Sequence, residues 1–264
     1  MPSKQAVQTE DLYIDNYIQT LENLGLEDIH LVCYNFMPVF DWTRTELARV
    51  RDDGSTVLAY TQEAVDALNP EEMFHSISAH TNGTVMPGWE PERMEHIKEL
   101  FSLYRNVDEE QLFQNLQYFL ERVMPVCDKY QIDLAIHPDD PAWSVFGLPR
   151  IITNKENILR MLKAVENPHN GVTFCSGSYG TNLENDLPDM IRSFKGRIHF
   201  AHVRNLKFHS PTNFEEAAHL SSDGTFDMYE IMKALYEIGF FRSDTSRPWA
   251  HDLGRGSYAR IWTL

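Results

Sequence analysis

The feature that most constrains this chain is an alternation. Amphipathic helical stretches separate short apolar runs, an order that predicts βαβ units around a parallel sheet. Thr9 is placed to cap a first helix with Tyr13, Tyr17, Leu21 and Leu24 on one face and Gly25 at its end. Ile29 to Tyr34 then reads as a strand. Helical spacing returns from Gln62 to His80, and Pro91 opens another helix carrying Met94, Ile97 and Leu100. Asp108 caps a longer helix with Leu112, Phe113, Leu116, Phe119, Leu120 and Val123 on its inner face, and Pro125 kinks or ends it. Ile132 to His137 is a second strand. Thr153 and Glu156 form a capping box ahead of Ile158, Leu159, Leu162 and Val165. Val172 to Cys175 is a third strand, Leu187 to Phe194 a helix closed by Gly196, and Ile198 to Val203 a fourth strand. A last helix carries Tyr229, Met232, Leu235 and Tyr236. No linker, repeat or low-complexity segment divides residues 1–264, which read as one domain.

Composition narrows the function classes. With 42% hydrophobic residues the chain can bury a sizeable core, which excludes disorder. No run approaches the roughly 18 apolar residues of a membrane helix, and the polar start Met1 to Glu10 lacks a signal-peptide core. Three cysteines cannot build a paired framework, so a reducing, cytoplasmic compartment is expected. The net charge of −16 repels phosphate backbones and acidic membranes, so neither nucleic acid nor membrane is an expected partner. An anionic small substrate would need a locally cationic site, from a metal or a few arginines. No P-loop or G-x-G-x-x-G supports a nucleotide cofactor.

Each clear strand runs into a polar cluster: Asn35 to Pro38, His137 to Asp140, Cys175 to Ser178, and His202 to Asn205. In a (β/α)8 TIM barrel the active site is built at the C-terminal strand ends, where four such clusters would converge. His137, Cys175 and His202 then form a donor set suited to a divalent transition metal, whereas Mg²⁺ and Ca²⁺ want oxygen. Taken singly, each has a plainer reading: a hydrogen-bonded structural histidine, or a cysteine closing an apolar strand. Cys33 and Cys127 read as buried thiols. His199 and His202 are three positions apart, so an even pleat turns only one of them into the barrel. Asp139 and Asp140 would orient substrate hydroxyls or simply stabilise a turn. Arg44 and Arg204 would bind a carboxylate or form ion pairs. Trp42 and Trp143 would floor a sugar pocket or cover the rim of the core. Asp52 to Ser55 is a turn, and Ser176 and Ser178 do not form a nucleophile elbow, since G-x-S-x-G is absent.

Taken together these clusters resemble those of the D-mannonate dehydratases, within the xylose-isomerase-like TIM barrels. The resemblance is carried by Cys33 to Thr45, Ile136 to Pro141, Phe146 to Arg150, Cys175 to Ser178, His199 to Asn205 and Asp223 to Tyr229, and it runs from about Tyr13 to Phe240. It implies dehydration of D-mannonate to 2-keto-3-deoxy-D-gluconate in hexuronate breakdown, with Mn²⁺ or Fe²⁺ held by His137, Cys175 and His202. It also implies substrate contacts from Arg44, Asp139, Asp140, Arg204 and Asn205. The family's R-P-D-H-G-R segment, source of an Asp ligand and a catalytic His, corresponds to the altered stretch Arg247 to Arg255. Asp252 is the expected fourth ligand, with Asp244 as an alternative, and His251 the expected catalytic histidine. The family's additional opening elements and its closing Tyr-containing stretch have no match, so the expected fold is an incomplete TIM barrel completed by homo-oligomerisation. A sugar isomerase or epimerase, a metal-binding remnant without turnover, and a partner-binding fragment are the alternatives.

Overall fold

The computed structural model describes residues 4–67, 97–240 and 259–260. In chain order the elements are α1 (Lys4–Leu26), β1 (Leu31–Tyr34), β2 (Glu46–Val50), β3 (Thr56–Thr61), α2 (Gln62–Asp66), α3 (Ile97–Tyr104), α4 (Glu109–Tyr130), β4 (Asp133–Ile136), α5 (Lys155–Ala164), β5 (Asn170–Cys175), α6 (Ser176–Gly180), α7 (Leu187–Ser193), β6 (Ile198–His202), β7 (Asn205–Ser210), β8 (Asn213–Ala217), α8 (Met228–Glu237) and β9 (Ala259–Arg260). The four expected strands share one parallel sheet, in the order β6-β5-β4-β1-β9. Cys33 pairs with Ala135, Ile136 with Val172, and Cys175 with His202, so the strand ends carrying polar clusters lie side by side. The result is the wall of a half-barrel of TIM type.

Burial explains why this wall was easy to read. Every residue of β4 and β5 is buried, and the strands merge with the helices into one apolar cluster. Leu21, Leu120, Ile132, Leu134 and Ile191 are fully enclosed there. Each such aliphatic side chain stabilises the fold by about 1.5–3 kcal/mol relative to exposure.

The helices differ from the periodicity reading in detail. Helix α1 begins at Lys4, so Thr9 lies inside it, and its core face is Ile14, Tyr17 and Leu21, while Tyr13 points outward. Gly25 falls within the last turn. The stop is a Schellman arrangement in which Asp28 takes φ 61 and the Ile29 N–H bonds to the Leu24 carbonyl at 2.9 Å. Helix α4 is capped by Asp108, as expected, but continues past Pro125 to Tyr130. The cap of α5 is Asn154, one residue beyond the expected Thr153, and Leu159 faces out. On α8 the buried positions are Met228, Ile231, Ala234 and Leu235; Tyr229, Met232 and Tyr236 are exposed. From the Gln62 to His80 prediction only Gln62–Asp66 lies among the described residues as helix, and Pro91 and Met94 fall outside them.

A second sheet was not expected at all. Strands β2-β3-β8-β7 form a four-stranded antiparallel sheet that grows from the C-terminal ends of β1 and β6. Its first hairpin turns where Asp52 to Ser55 predicted it, with Gly54 at φ 81 and the Asp53 carboxylate accepting the Ser55 N–H at 2.9 Å. Its apolar face holds Tyr60 stacked on Phe214, ring centroids 5.3 Å apart, with Leu206 and Val145 beside them. Trp143 packs edge-on against both rings and donates to the Gln62 side-chain Oε1 at 3.2 Å, so it covers this small core.

Candidate metal centre

Three neighbouring strand ends bring His137, Cys175 and His202 together. One ligand atom from each lies within 4.8 Å of the others. Donors at about 2.0–2.3 Å from one ion can be at most about 4.6 Å apart, so the spread already approaches a coordination sphere. The Cys175 sulfur is buried and 3.7 Å from His202 Nδ1. His137 Nδ1 is 2.8 Å from the Pro138 carbonyl, which makes Nδ1–H the donor and leaves Nε2 to face the cluster. His202 is exposed, which leaves an open side for a small ligand.

The electrostatics suit a thiolate ligand. Burial alone would raise the Cys175 thiol, but the positive charge of Arg204 and His137, with hydrogen bonds from His137 and His202, holds it well below its usual range. Burial would lower His137; the charge of the Cys175 sulfur and of Asp140 and the Pro138 carbonyl outweigh it and raise the imidazole. Two imidazoles and one thiolate with an open face are a donor set for a borderline divalent transition ion.

The facing of the two β6 histidines departs from expectation. A β-bulge pairs Val172 with Ile198 and the next residue, Thr173, with Phe200, so His199 is the extra residue. It lies on the same face as Gly171, where a Cβ would stand 2.1 Å from the His199 ring, and its Nδ1 is 3.8 Å from Asp133. Gly171 and Cys175 share pleat parity, as do Asp133 and His137. Both histidines therefore face the barrel interior, one at each end of the sheet, because the bulge resets the alternation. Cys127 is buried as expected, whereas Cys33 is only partly so and lies 3.1 Å from the Thr173 hydroxyl.

Of the residues expected to meet substrate, several are engaged inside the protein. Asp139 is buried and accepts the Ile151 and Ile152 N–H groups at 2.8 and 2.7 Å, with Arg150 beside it; it fixes the loop after β4. Arg44 is wholly enclosed, donating to both oxygens of Asp140 at 2.8 and 3.1 Å and to Glu216 at 2.9 Å, with its guanidinium 5.0 Å from the Phe214 ring. Asn205 donates to the Ala218 and Leu220 carbonyls and accepts the Phe226 N–H, which ties β7 to the following loop. Asp140 joins Arg44 to Arg204, and the two guanidiniums hold its carboxyl well below the usual range against the upward push of burial. Arg204 keeps 22% of its side chain exposed and remains the arginine with access to a ligand. Trp42 stands against Arg44. His251, Asp252 and Asp244 lie outside the described residues.

Two participants had no clear signal in the sequence. Glu216, on β8, accepts from both Arg44 and Arg204 at 2.9 and 3.1 Å and so fastens the second sheet to the strand ends. Asp41 lies in the field of His137 and Arg150, and burial raises its carboxyl. Acidic residues on loops and half-exposed strands carry no spacing rule that would single them out.

A parallel half-barrel whose strand ends gather a two-His, one-Cys cluster able to hold a metal ion is of the TIM-barrel class. Residues 3–262 match the family model for D-mannonate dehydratase (UxuA). The chain is 62% identical to a mannonate dehydratase of Brachyspira hyodysenteriae over 247 residues, 92% of this chain and 70% of that one. It is 55% identical to that of Thermotoga petrophila over 239 residues, 90% of this chain and 66% of the relative. The crystal structure of mannonate dehydratase from Streptococcus suis serotype 2 superposes with a TM-score of 0.75 at 38% identity, covering 87% of this chain and 60% of that one. This chain belongs to the D-mannonate dehydratase family, and it spans about two thirds of the length of these relatives.

Proposed function

We propose that the protein is a metal-dependent hydro-lyase that removes water from D-mannonate to give 2-keto-3-deoxy-D-gluconate in hexuronate breakdown. The observation that carries this reading is the His137, Cys175 and His202 cluster at three adjacent strand ends, in a chain of this family. Mn²⁺ or Fe²⁺ is the ion we assign, with Asp252 as fourth ligand. When bound, such an ion supplies a Lewis-acidic charge for the oxygens of a sugar acid.

The chain's own residues divide the remaining work. Arg204 offers a guanidinium to the substrate carboxylate while Asp140 and Glu216 fix its position. The elimination breaks the C–H bond next to the carboxylate and the neighbouring C–OH bond. The carbon-bound proton passes to a base, the hydroxyl leaves with a proton from an acid as one water, and the resulting enol becomes the ketone by giving up its O–H proton and taking one at the carbon that lost the hydroxyl. His251 is the residue we assign to this proton transfer. The buried Arg44–Asp140 pair keeps the floor of the site rigid and dry. We further propose that residues 1–264 act as one domain, in the cytoplasm, as a homo-oligomer; no helix among the described residues is long and apolar enough to cross a membrane.

The test is anaerobic incubation of purified protein with Mn²⁺ and D-mannonate. Metal-dependent formation of 2-keto-3-deoxy-D-gluconate is the expected result. Folded, metal-loaded protein that forms no product would overturn the assignment.

A further inference from the structure

The hydroxyl of Ser178 sits between two acceptors. Its Oγ is 3.2 Å from Cys175 Sγ and 2.9 Å from Asp140 Oδ2, yet it has only one proton to give. Which acceptor receives it depends on what else each acceptor already holds. Asp140 is supplied from two sides: Arg44 donates to Oδ1 at 2.8 Å and to Oδ2 at 3.1 Å, and Arg204 donates to the same Oδ2 at 2.5 Å. Arg204 Nη2 also lies 3.3 Å from the Ser178 oxygen, where it donates into a hydroxyl lone pair. That contact turns the hydroxyl proton away from the guanidinium. The Cys175 sulfur, fully buried at the end of β5, has the His137 and His202 rings beside it, but an imidazole that turns a lone pair to a metal ion gives no hydrogen to the sulfur, so Ser178 is then its donor.

We infer that Ser178 donates its hydroxyl hydrogen to the Cys175 sulfur and is a positioning residue for that ligand. The inference rests on the reading of Cys175 as a metal ligand. The local fold serves the arrangement. Ser178 stands on the first turn of α6, three residues after Cys175, so one helical turn returns its side chain over the sulfur. Gly177, between them, admits the Arg204 guanidinium: a Cβ there would stand 2.1 Å from Arg204 Nε. The Ser178 side chain is completely buried, so water does not compete for the bond.

A hydrogen bond to a coordinating sulfur withdraws electron density from it and fixes its direction. Removing such an outer-shell partner typically costs about 10–100-fold in metal affinity. The experiment uses the full chain loaded with Co²⁺, whose sulfur-to-cobalt charge-transfer absorption reports the ligand directly, together with Mn²⁺ titration. Ser178→Ala is expected to move the absorption to longer wavelength and to raise the Mn²⁺ dissociation constant about 10-fold. Ser178→Thr, which keeps the hydroxyl, is expected to restore both. An absorption at the wild-type position in Ser178→Ala would overturn the role of Ser178 while leaving Cys175 a ligand. Absence of any sulfur-to-cobalt absorption in the wild-type protein would overturn the ligand assignment itself, and this inference with it.

Discussion

The two ends of the parallel sheet carry similar chemistry and use it differently. At the C-terminal end stand His137, Cys175 and His202. Three to six residues earlier on the same strands or just before them, roughly 10–20 Å away, stand Asp133, His169 and His199. The lower group is closed on itself: His169 Nδ1 meets Asp133 at 2.8 Å, His199 approaches the same carboxylate at 3.8 Å, and all three are buried. The upper group has an exposed member and gathers its ligand atoms within 4.8 Å, and the Arg44, Asp140, Arg204 and Glu216 ion pairs lie close by. Buried histidines grouped on one carboxylate serve the packing of the sheet. Histidines grouped beside a thiol can hold a metal ion. Residue type alone does not distinguish the two; partners and access to solvent do.

Substitutions at the two ends sharpen this contrast. The largest effect is expected for Cys175→Ser, which should weaken Mn²⁺ binding more than about 100-fold, since even outer-shell partners account for about 10–100-fold. Its thermal stability without metal should stay near that of the wild type. Calorimetric metal titration beside a thermal melt checks both, and metal affinity equal to the wild type would remove Cys175 from the site.

Next in size is Asp140→Ala, which takes from the buried Arg44 its two-pronged partner, leaving it Glu216, and takes from Arg204 its shortest contact. Breaking a buried pair costs about 3–5 kcal/mol, to be read from the urea midpoint. The same carboxylate gives a pH signature. Its folded pKa lies well below the usual range, and the unfolded carboxyl titrates near about 4. Its stabilisation is therefore complete above that value and is lost as the pH falls further. Wild-type stability should drop more steeply between pH 5 and pH 3 than that of Asp140→Asn; equal slopes would count against the pair.

The smallest effect belongs to the lower end. Gly171→Ala places a methyl where the His199 ring lies, and overpacking of this kind costs about 1–3 kcal/mol. Metal affinity should hardly change. A large loss of metal binding in this variant would show that the two ends are not independent.

How much of this was legible beforehand varies with burial. Strands β4 and β5 are buried throughout, so continuous apolar runs announced them. The antiparallel sheet went unseen because its strands are half exposed: β2 reads Glu-Leu-Ala-Arg-Val, and β8 carries Glu215 and Glu216 among its five residues. Tyr229 and Tyr236, which mark α8 by their spacing, are exposed, and the helix buries Met228, Ile231, Ala234 and Leu235.

By itself the sequence determined the alternation of helix and strand, the parallel wall, and the donor atoms gathered at its edge, because local periodicity and the position of polar clusters after apolar runs are properties of the chain. The tertiary structure decided which acids and arginines serve the site and which merely hold it. Arg44 became an internal strut, Glu216 arrived from a sheet no pattern foretold, and a single extra residue on β6 turned His199 inward. Pairings between residues 96 or 172 positions apart depend on where the strands meet, and that is settled by packing and not by spacing.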